Sequence, residues 1–227
     1  NTGLPLGRWI QALDSPKLPE HLRERLVQAG WVRAVLLGNE VAAKSLAPKL
    51  RAMSPELKDL LTDDSRFTAI YALLNAPGLQ PYLQAGLGRL NWENKTIPPT
   101  TLDEFRRNWW CAAGPSRLDA DGNAKAIAPP DLTFLGAAEK ISATREAEVI
   151  RSGGAGPNFL GRLATDYITK NPEDPRGART LHLVVRATRY SCTDANTATV
   201  SKRAFQLLHK LYPRSDWAKK TPSWFGG

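Results

Sequence analysis

Apolar residues recur at the helical period along the first third of the chain. One stripe has its members at i, i+3, i+4 and i+7, the spacing that places side chains on one face of a helix. Its members are Phe67, Ile70, Tyr71 and Leu74. Asp64 or Ser65 is placed to cap the start of this helix, and the run 75–78 (Asn-Ala-Pro-Gly) ends it.

Two further helices are predicted upstream. In the longer one the apolar positions repeat every four residues, with two leucines beside them: Val27, Trp31, Val35, Leu22 and Leu26. Pro19 suits its first turn, and Gly30 is a point at which it could divide. The shorter helix covers 40–47 and is expected to stop at Pro48, because proline lacks the backbone N–H that a helix interior needs.

The character of the sequence changes over residues 91–135. Prolines interrupt it repeatedly, and the run 121–123 (Asp-Gly-Asn) signals a turn. Only one short helix is predicted, over 101–108. Three of the seven tryptophans fall in this segment: Trp92, Trp109 and Trp110. Because aromatic rings bring a large area to bury, their presence argues against disorder.

Helical patterning returns over residues 136–227. The predicted helices are one over 137–151, one opened by Pro157, one capped by Asp174 with Pro175 at its first position and running to about Tyr190, and one over 204–212. No alternating strand pattern of useful length occurs. The sequence therefore predicts an all-α fold with three regions, helical over 1–90, irregular and Trp-rich over 91–135, and helical over 136–227.

The C-terminal helical region contains a half-hidden repeat. The run 171–180 can be laid on the run 212–221 with an offset of 41 residues. The matching positions are Pro172 with Pro213, Asp174 with Ser215, and Thr180 with Thr221. In both runs a helix ends near a proline, the chain turns, and a capping side chain starts the next helix.

The run 205–218 (Phe-Gln-Leu-Leu-His-Lys-Leu-Tyr-Pro-Arg-Ser-Asp-Trp-Ala) resembles the helix-turn-helix junction of tetratricopeptide-like repeats. It is similar in particular to bacterial envelope lipoproteins that carry such repeats, in which an aromatic, leucine-rich helix ends in Tyr-Pro-x-Ser. The run 170–176 (Lys-Asn-Pro-Glu-Asp-Pro-Arg) resembles the same junction, so the resemblance covers about residues 157–225. The offset of 41 residues exceeds the ~34 of that repeat, and the polar loop at 191–198 could absorb the difference.

Positive charge is unevenly distributed along the 227 residues, whose formal net charge is +9. Residues 136–227 carry 15 Lys or Arg against 8 Asp or Glu, and therefore +7 of the total. Such asymmetry can mark a surface for an acidic partner or a nucleic acid. The basic residues come singly or in pairs, such as Lys219 and Lys220, which favours a solvated basic face over a nucleic-acid site. No apolar run approaches the ~18 residues of a membrane span.

Few residues are placed for metal binding or catalysis. The run 119–123 (Asp-Ala-Asp-Gly-Asn) imitates the first half of a calcium loop, but Ala124 and Pro130 stand where that loop needs glycine and glutamate. The three histidines are far apart in sequence: His21, His182 and His209. Histidines of this kind usually pack or lie at the surface, so we predict no metal and no cofactor.

The Trp-rich segment supports an alternative function. Its rings, Trp92, Trp109 and Trp110, could stack on sugars, and Glu93 and Glu104 could act as an acid–base pair on a glycan. The simpler interpretation is that the rings pin the segment to the helices and that Glu104 completes a capping box with Thr101. A glycan-binding or glycan-cleaving protein remains the second hypothesis.

The two cysteines, Cys111 and Cys192, both flank loops and lie outside the apolar stripes. We therefore predict a Cys111–Cys192 disulfide, which would close a loop of about 80 residues and contribute on the order of 4 kcal/mol in the chain-entropy account. Such a bridge would indicate an oxidising compartment. The competing interpretation is a pair of free thiols in a cytosolic protein.

The preferred hypothesis is a non-enzymatic helical-repeat scaffold that binds another protein of the bacterial cell envelope, as the resemblance implies. The candidate interaction surface consists of Trp92, Trp109, Trp110, Lys219 and Lys220. The resemblance implies a periplasmic or extracellular location, with a lipid anchor on a segment outside this sequence as one option. The sequence begins at Asn1 rather than at methionine, which indicates a processed form or a fragment.

Overall fold

A computed structural model describes residues 3–79, 131–189 and 193–226, together with Asp121 and the backbone of four short strands. Over these residues the protein is all-α, as the sequence predicts. The α-helices are α1 Leu6–Leu13, α2 Glu20–Leu36, α3 Glu40–Met53, α4 Arg66–Asn75, α5 Ala137–Ser152, α6 Gly156–Lys170, α7 Gly177–Ala187, α8 Thr197–Leu211 and α9 Asp216–Lys219, with a 3₁₀ turn at Pro55–Leu57. In the described part of the chain, none of these helices is long and apolar enough to cross a membrane.

Two small antiparallel hairpins lie in or beside the segment that the sequence predicts to be irregular. β1 Arg89–Leu90 pairs with β2 Thr96–Ile97, and β3 Ser116–Leu118 pairs with β4 Ala124–Ala126. Strands of two or three residues are too short to show the alternation by which a strand is recognised in sequence. The helix predicted over 101–108 lies outside the described residues.

The contacts divide the chain into two compact units. The first contains α1, α2, α3, α5 and both hairpins, and the second contains α4 and α6 to α9. These units group the elements differently from the regions 1–90, 91–135 and 136–227, because α4 packs on α6 and α7. That packing brings together residues about a hundred positions apart in sequence. The composition of a segment does not indicate which distant segment it packs on.

In the first unit α2 packs on α1 and α3, and every residue from Ala29 to Leu36 is buried. Burial on all faces is typical of a helix surrounded by other elements. Gly30 lies inside this stretch and does not divide the helix, because the packing around it outweighs the ~1 kcal/mol that glycine costs a helix interior.

The predicted stop of α3 at Pro48 is wrong. The helix continues to Met53, with Pro48 in its interior and exposed. An interior proline costs roughly 3 kcal/mol through its missing N–H and its clash with the preceding turn. Leu46 and Leu50 lie on either side of it and are almost completely buried. Their packing on α2 holds the helix together across the proline.

No individual helix is predicted before Pro19, and α1 packs through the buried side chains of Leu6, Trp9 and Leu13, with charged contacts added at its two ends. Arg8 pairs with Glu139 of α5. At the other end of α1, Arg23 of α2 donates hydrogen bonds to the carbonyl oxygens of Leu13 and Ser15. A cation at this end satisfies carbonyls that have no partner within the helix and opposes the negative end of its dipole.

In the second unit two of the predicted helix starts are confirmed. Ser65 caps α4 by accepting a hydrogen bond from the backbone N–H of Thr68 at 3.1 Å. Ser215 caps α9 in the same way, accepting from Ala218 at 3.1 Å. Both side chains satisfy backbone donors that the first turn of a helix leaves without partners.

The start of α7 differs from the prediction. The helix begins at Gly177, so Pro175 precedes it instead of occupying its first position, and it ends at Ala187 instead of near Tyr190. Asp174 still fixes the turn just before α7, because its Oδ1 accepts a hydrogen bond from the backbone N–H of Arg176 at 2.9 Å. This is the local turn that aspartate favours ahead of a helix.

The helices α6 and α8 have the same length, 15 residues. α8 begins and ends 41 positions after α6 (156 to 197 and 170 to 211), which is the offset read from the sequence. The links that follow differ, since residues 171–176 separate α6 from α7 and only 212–215 separate α8 from α9. The offset therefore holds for these two helices but not for the helices that follow them, and an array of tetratricopeptide type stays a prediction.

A glycine allows α6 to approach α7 and α8 closely. A Cβ atom on Gly161 would lie 2.6 Å from Val200 Cγ1 and 2.8 Å from Val184 Cγ1. Carbon atoms of side chains do not approach to such distances, so only glycine fits this position without displacing a valine of the neighbouring helices. Gly161 is thus a requirement of the packing between the three helices.

A second glycine lies at the start of α7. A Cβ atom on Gly177 would overlap the hydroxyl group and the ring of Tyr212. That hydroxyl donates a hydrogen bond to the carbonyl oxygen of Pro172 at 2.6 Å. Tyr212, from the junction after α8, is therefore seated against the junction that precedes α7, and glycine provides the space for it.

Candidate interaction surface

Aromatic rings and cations alternate along a continuous set of contacts in the second unit. We call this set the cation–aromatic ladder; from its inner to its outer end it consists of Tyr167, Phe67, Arg176, Tyr71, Arg179, Trp217 and Lys220. Its members lie on α4, α6, α7 and α9 or directly beside them. Positions 67 and 71 are about one helical turn apart, as are 176 and 179, so each pair presents neighbouring side chains.

At the inner end of the ladder Phe67 is buried and Tyr167 is half-buried. Phe67 and Tyr167 stack with 3.8 Å between their ring centroids and 10° between their planes. The guanidinium carbon of Arg176 lies 4.8 Å from the centroid of Phe67 and 5.7 Å from that of Tyr71. Burial, followed by the negative charge of Asp174, raises the pKa of Tyr167. These contacts fix Arg176 against two rings of α4.

Arg176 is held by hydrogen bonds as well as by rings. Its Nε and Nη2 donate to the two carboxylate oxygens of Asp174 at 3.0 and 2.8 Å, and its Nη1 donates to Thr68 Oγ1 at 2.7 Å. The bonds from Arg176 hold the pKa of Asp174 below its ordinary value. Because a two-point contact between guanidinium and carboxylate fixes both groups, Arg176 supports the ladder from inside.

The outer end of the ladder reaches solvent. The guanidinium carbon of Arg179 lies 5.8 Å from the ring centroid of Tyr71 and 5.7 Å from that of Trp217. Lys220 Nζ lies 4.8 Å from the centroid of Trp217. Arg179 and Lys220 are exposed, and Trp217 is half-buried. Two exposed cations are thus held against one ring, at distances typical of cation–π contacts.

The exposed face of α7 extends this positive charge. Arg179, His182 and Arg186 are spaced at i, i+3 and i+7, which places them on one side of the helix. The sequence contains no Asp or Glu between Asp174 and Asp194. The charges of Arg186, Lys220 and Arg179 all act on His182, so these three cations surround it.

Two histidines that are far apart in sequence meet at Thr221. The Thr221 hydroxyl donates to the carbonyl oxygen of Trp217 at 2.7 Å, so its oxygen accepts the hydrogen bond from His182 Nδ1, also at 2.7 Å. His209 Nε2 lies 2.9 Å from the Thr221 carbonyl oxygen, which can only accept, and this nitrogen therefore carries a proton. Although His182 and His209 are far apart in sequence, α7, α8 and α9 converge on this threonine and bring both histidines to it.

Burial lowers the pKa of His182, the neighbouring cations Arg186, Lys220 and Arg179 act in the same direction in that order, and together they bring it from 6.5 to about 4. Between these values the unfolded chain binds a proton that the folded chain does not, so the free energy of unfolding falls as the pH falls from 6.5 towards 4. We expect the stability difference between the wild-type protein and a His182→Gln variant to shrink by about 1 to 2 kcal/mol between pH 7 and pH 4.5, discounted for partial exposure. Urea unfolding at a series of pH values measures this difference, and a constant difference would contradict the placement of His182.

The first unit holds a fully buried cation. Arg33 is 1% exposed, and its guanidinium carbon lies 4.7 Å from the ring centroid of Trp9. Burial lowers the pKa of Arg33, and the negative charge of Glu146 opposes this effect. Glu146 also accepts a hydrogen bond from the backbone N–H of Leu6 at 2.8 Å. This cluster is enclosed between helices and serves their packing.

Most of the residues that the sequence analysis proposes for a site lie outside the described part of the chain. They are Trp92, Trp109, Trp110, Cys111, Cys192, Glu93 and Glu104. The disulfide and the glycan site therefore stay predictions. Lys220 lies at the outer end of the ladder, whereas Lys219 is exposed and pairs with Asp216 at 3.0 Å. Among the described residues, no group of three His, Cys, Asp or Glu side chains could hold a metal ion.

The ladder itself is not predicted by the sequence. In the sequence Tyr71 belongs to a helix stripe and Arg176 and Trp217 belong to the two junctions, and nothing in these patterns predicts a contact among them. The repeat alignment contains one signal, because its offset of 41 places Trp217 on Arg176 and so predicts that both stand at the start of a helix. A second signal is the stretch 175–193, which has four arginines and no acidic residue.

No protein-family model, curated protein or solved structure matches this sequence. The chemistry of the ladder and its neighbours is therefore the basis on which a function can be assigned.

Proposed function

We propose that this chain is a non-enzymatic helical scaffold that binds another protein of the bacterial cell envelope through the second unit. The observation that carries the proposal is the outer end of the cation–aromatic ladder, where Arg179 and Lys220 are exposed and are both held against Trp217. Long cationic side chains lose conformational freedom when they bind, and side chains that are already positioned lose less. Such a surface is prepared for contact with a macromolecule.

The support beneath this surface is rigid. The fork of Arg176 is bonded to Asp174 and Thr68, and the rings of Phe67 and Tyr167 stack below it. A contact region fixed to helices by packing and hydrogen bonds keeps its geometry more accurately than one on a loop. Helix pairs packed side by side also suit the binding of extended partners when they form arrays, which is what the resemblance of residues 157–225 implies.

The envelope location in this proposal is supported by that resemblance and by the predicted Cys111–Cys192 bridge. The glycan alternative depends on the Trp-rich segment, whose tryptophans lie outside the described residues. In the ladder, Trp217 already has two cations and the ring of His182 within 6 Å of its centroid. A sugar would need an open ring face, so the ladder favours a protein partner.

Site-specific photo-cross-linking tests the proposal. A benzophenone amino acid is introduced at Arg186, on the exposed face of α7, and separately at Asp166, an exposed position of α6 outside the ladder. After irradiation in cells or in envelope extract, we expect a discrete protein adduct of higher mass from position 186 and only background from position 166. Absence of an adduct at position 186, or the same adducts from both positions, would contradict a protein partner on this face.

A further inference from the structure

The cations at the outer end of the ladder also indicate the chemistry of the partner. We infer that this surface, formed by Arg179, Arg186 and Lys220, binds an acidic segment of the partner protein, whose Asp and Glu carboxylates pair with these cations. The inference rests on the proposed function and adds to it the class of partner and the residues that select it.

The charge balance around this surface favours carboxylates. Two acidic side chains of this region are already engaged, Asp174 by Arg176 at 2.8 Å and Asp216 by Lys219 at 3.0 Å, and the charge of Lys220 also acts on Asp216. The ion pairs that the structure describes in this region involve those cations and not Arg179 or Lys220. A partner that brings negative charge would complete the surface, and one that brings positive charge would be repelled.

The positions of the arginines set the spacing of the partner's charges. Arg179 and Arg186 are two helical turns apart, a rise of about 10 Å along α7. An extended segment advances roughly 3.3 Å per residue, so carboxylates about three residues apart along the partner reach both arginines. A guanidinium fork can bind a carboxylate through two parallel hydrogen bonds, and Lys220 adds a third positive charge beside them.

The aromatic rings argue against single-stranded nucleic acid. Binding of single strands uses open ring faces on which bases stack. Phe67 is covered by Tyr167 at 3.8 Å and approached by Arg176 at 4.8 Å, and Tyr71 is buried. Trp217 is flanked by Arg179 and Lys220. The rings therefore position the cations. The groups that a partner can contact are the exposed guanidinium and ammonium groups.

A binding assay with a defined probe tests the inference. The probe is a fluorescein-labelled oligo-glutamate of about twelve residues, long enough to span two turns of α7. Its affinity for the full chain is measured by fluorescence polarisation at low ionic strength. The test variant carries Arg179→Glu and Lys220→Glu, and the matched control carries Lys170→Glu and Lys210→Glu, which make the same change in net charge at exposed positions outside the ladder.

We expect the test variant to lose about tenfold or more in affinity, because two attractive contacts become repulsive, and the control to lose much less. Equal losses in both variants would reduce the effect to net charge and overturn the inference. Tighter binding of a DNA duplex of equal charge, which displaces the oligo-glutamate, would overturn it in favour of nucleic acid. Equal urea midpoints establish that both variants are folded. If the double variant does not fold, the milder Arg179→Lys variant is measured in its place.

The cross-linking experiment separates this inference from the proposed function. If the adduct at position 186 persists unchanged when Arg179 and Lys220 are reversed in charge, a protein partner binds but does not use these cations, and only the inference fails. If no adduct forms even in the chain that keeps Arg179 and Lys220, the proposed function itself fails.

Discussion

Replacement of Gly161 by alanine is expected to lower the free energy of unfolding of the second unit by about 2 to 3 kcal/mol. The new Cβ atom would lie 2.6 Å from Val200 Cγ1 and 2.8 Å from Val184 Cγ1, so α6 must move away from both neighbours or the valines must leave their packing positions. Overpacking of a close-packed interior typically costs 1 to 3 kcal/mol. Chemical denaturation followed by circular dichroism measures the change.

Gly30 provides a matched control for this variant. It is also buried within a helix, but a Cβ atom there would meet only Leu46 Cδ1 at 3.5 Å, an ordinary contact distance. Gly30→Ala should be neutral or slightly stabilising, because alanine favours the helix. A second variant that adds Val200→Ala to Gly161→Ala should recover part of the loss. Equal stability of the two single alanine variants would show that Gly161 is not packed as described.

Replacement of Arg176 by alanine is expected to lower the free energy of unfolding by a similar amount, about 2 to 3 kcal/mol. The change removes the two bonds to Asp174, whose side chain is only 9% exposed, and the bond to Thr68. A carboxylate left without its partner in such a position is costly. The contacts with Phe67 and Tyr71 are lost as well. Urea unfolding at neutral pH, where Asp174 is ionised, measures the effect.

Arg179→Ala is the control for Arg176→Ala. Arg179 touches Tyr71 and Trp217 but is exposed, so its removal should cost less than about 1 kcal/mol. An Arg176→Lys variant should fall between the two, because lysine keeps the charge and loses the two-point contact. If Arg176→Ala and Arg179→Ala are equally stable, Arg176 is not the support of the ladder.

Local signals in the sequence were sufficient for several helices. The Ser65 and Ser215 caps, the stripe of α4 and the proline that opens α6 were each recognised from a few neighbouring residues. Helix caps and amphipathic periodicity depend on contacts within one or two turns, so they are written in contiguous sequence. The 41-residue offset between α6 and α8 was also visible because the junctions after them carry similar residues.

Helix boundaries predicted from the sequence are wrong where tertiary packing opposes a local preference. Pro48 is a strong local signal for the end of a helix, yet α3 passes through it because Leu46 and Leu50 are buried on either side. Whether burial outweighs the cost of a proline depends on the neighbouring helices, and these are not encoded at residue 48. The first turn of α7 shifted by two residues for a related reason, since Arg176 is drawn to Asp174 and Thr68 and stays ahead of the helix.

The ladder could not have been predicted from sequence periodicity. Its rings come from α4, α6 and α9, and their meeting depends on the packing of α4 against helices that follow about ninety positions later in the chain. The meeting of His182 and His209 at Thr221 likewise depends on tertiary packing, in this case that of α7, α8 and α9. The accumulation of positive charge towards the C-terminus is visible in the sequence, but only the fold shows which cations are held against rings.

The contact between Gly177 and Tyr212 limits the order in which substitutions can accumulate at these two positions during evolution. Any side chain at position 177 overlaps both the hydroxyl and the ring carbons of Tyr212, so a change of Tyr212 to phenylalanine removes the bond to Pro172 without making room. Position 212 must therefore become small before position 177 can accept a side chain. Descendants of this sequence should pair an aromatic residue at 212 with glycine at 177, and a larger residue at 177 only with a small one at 212.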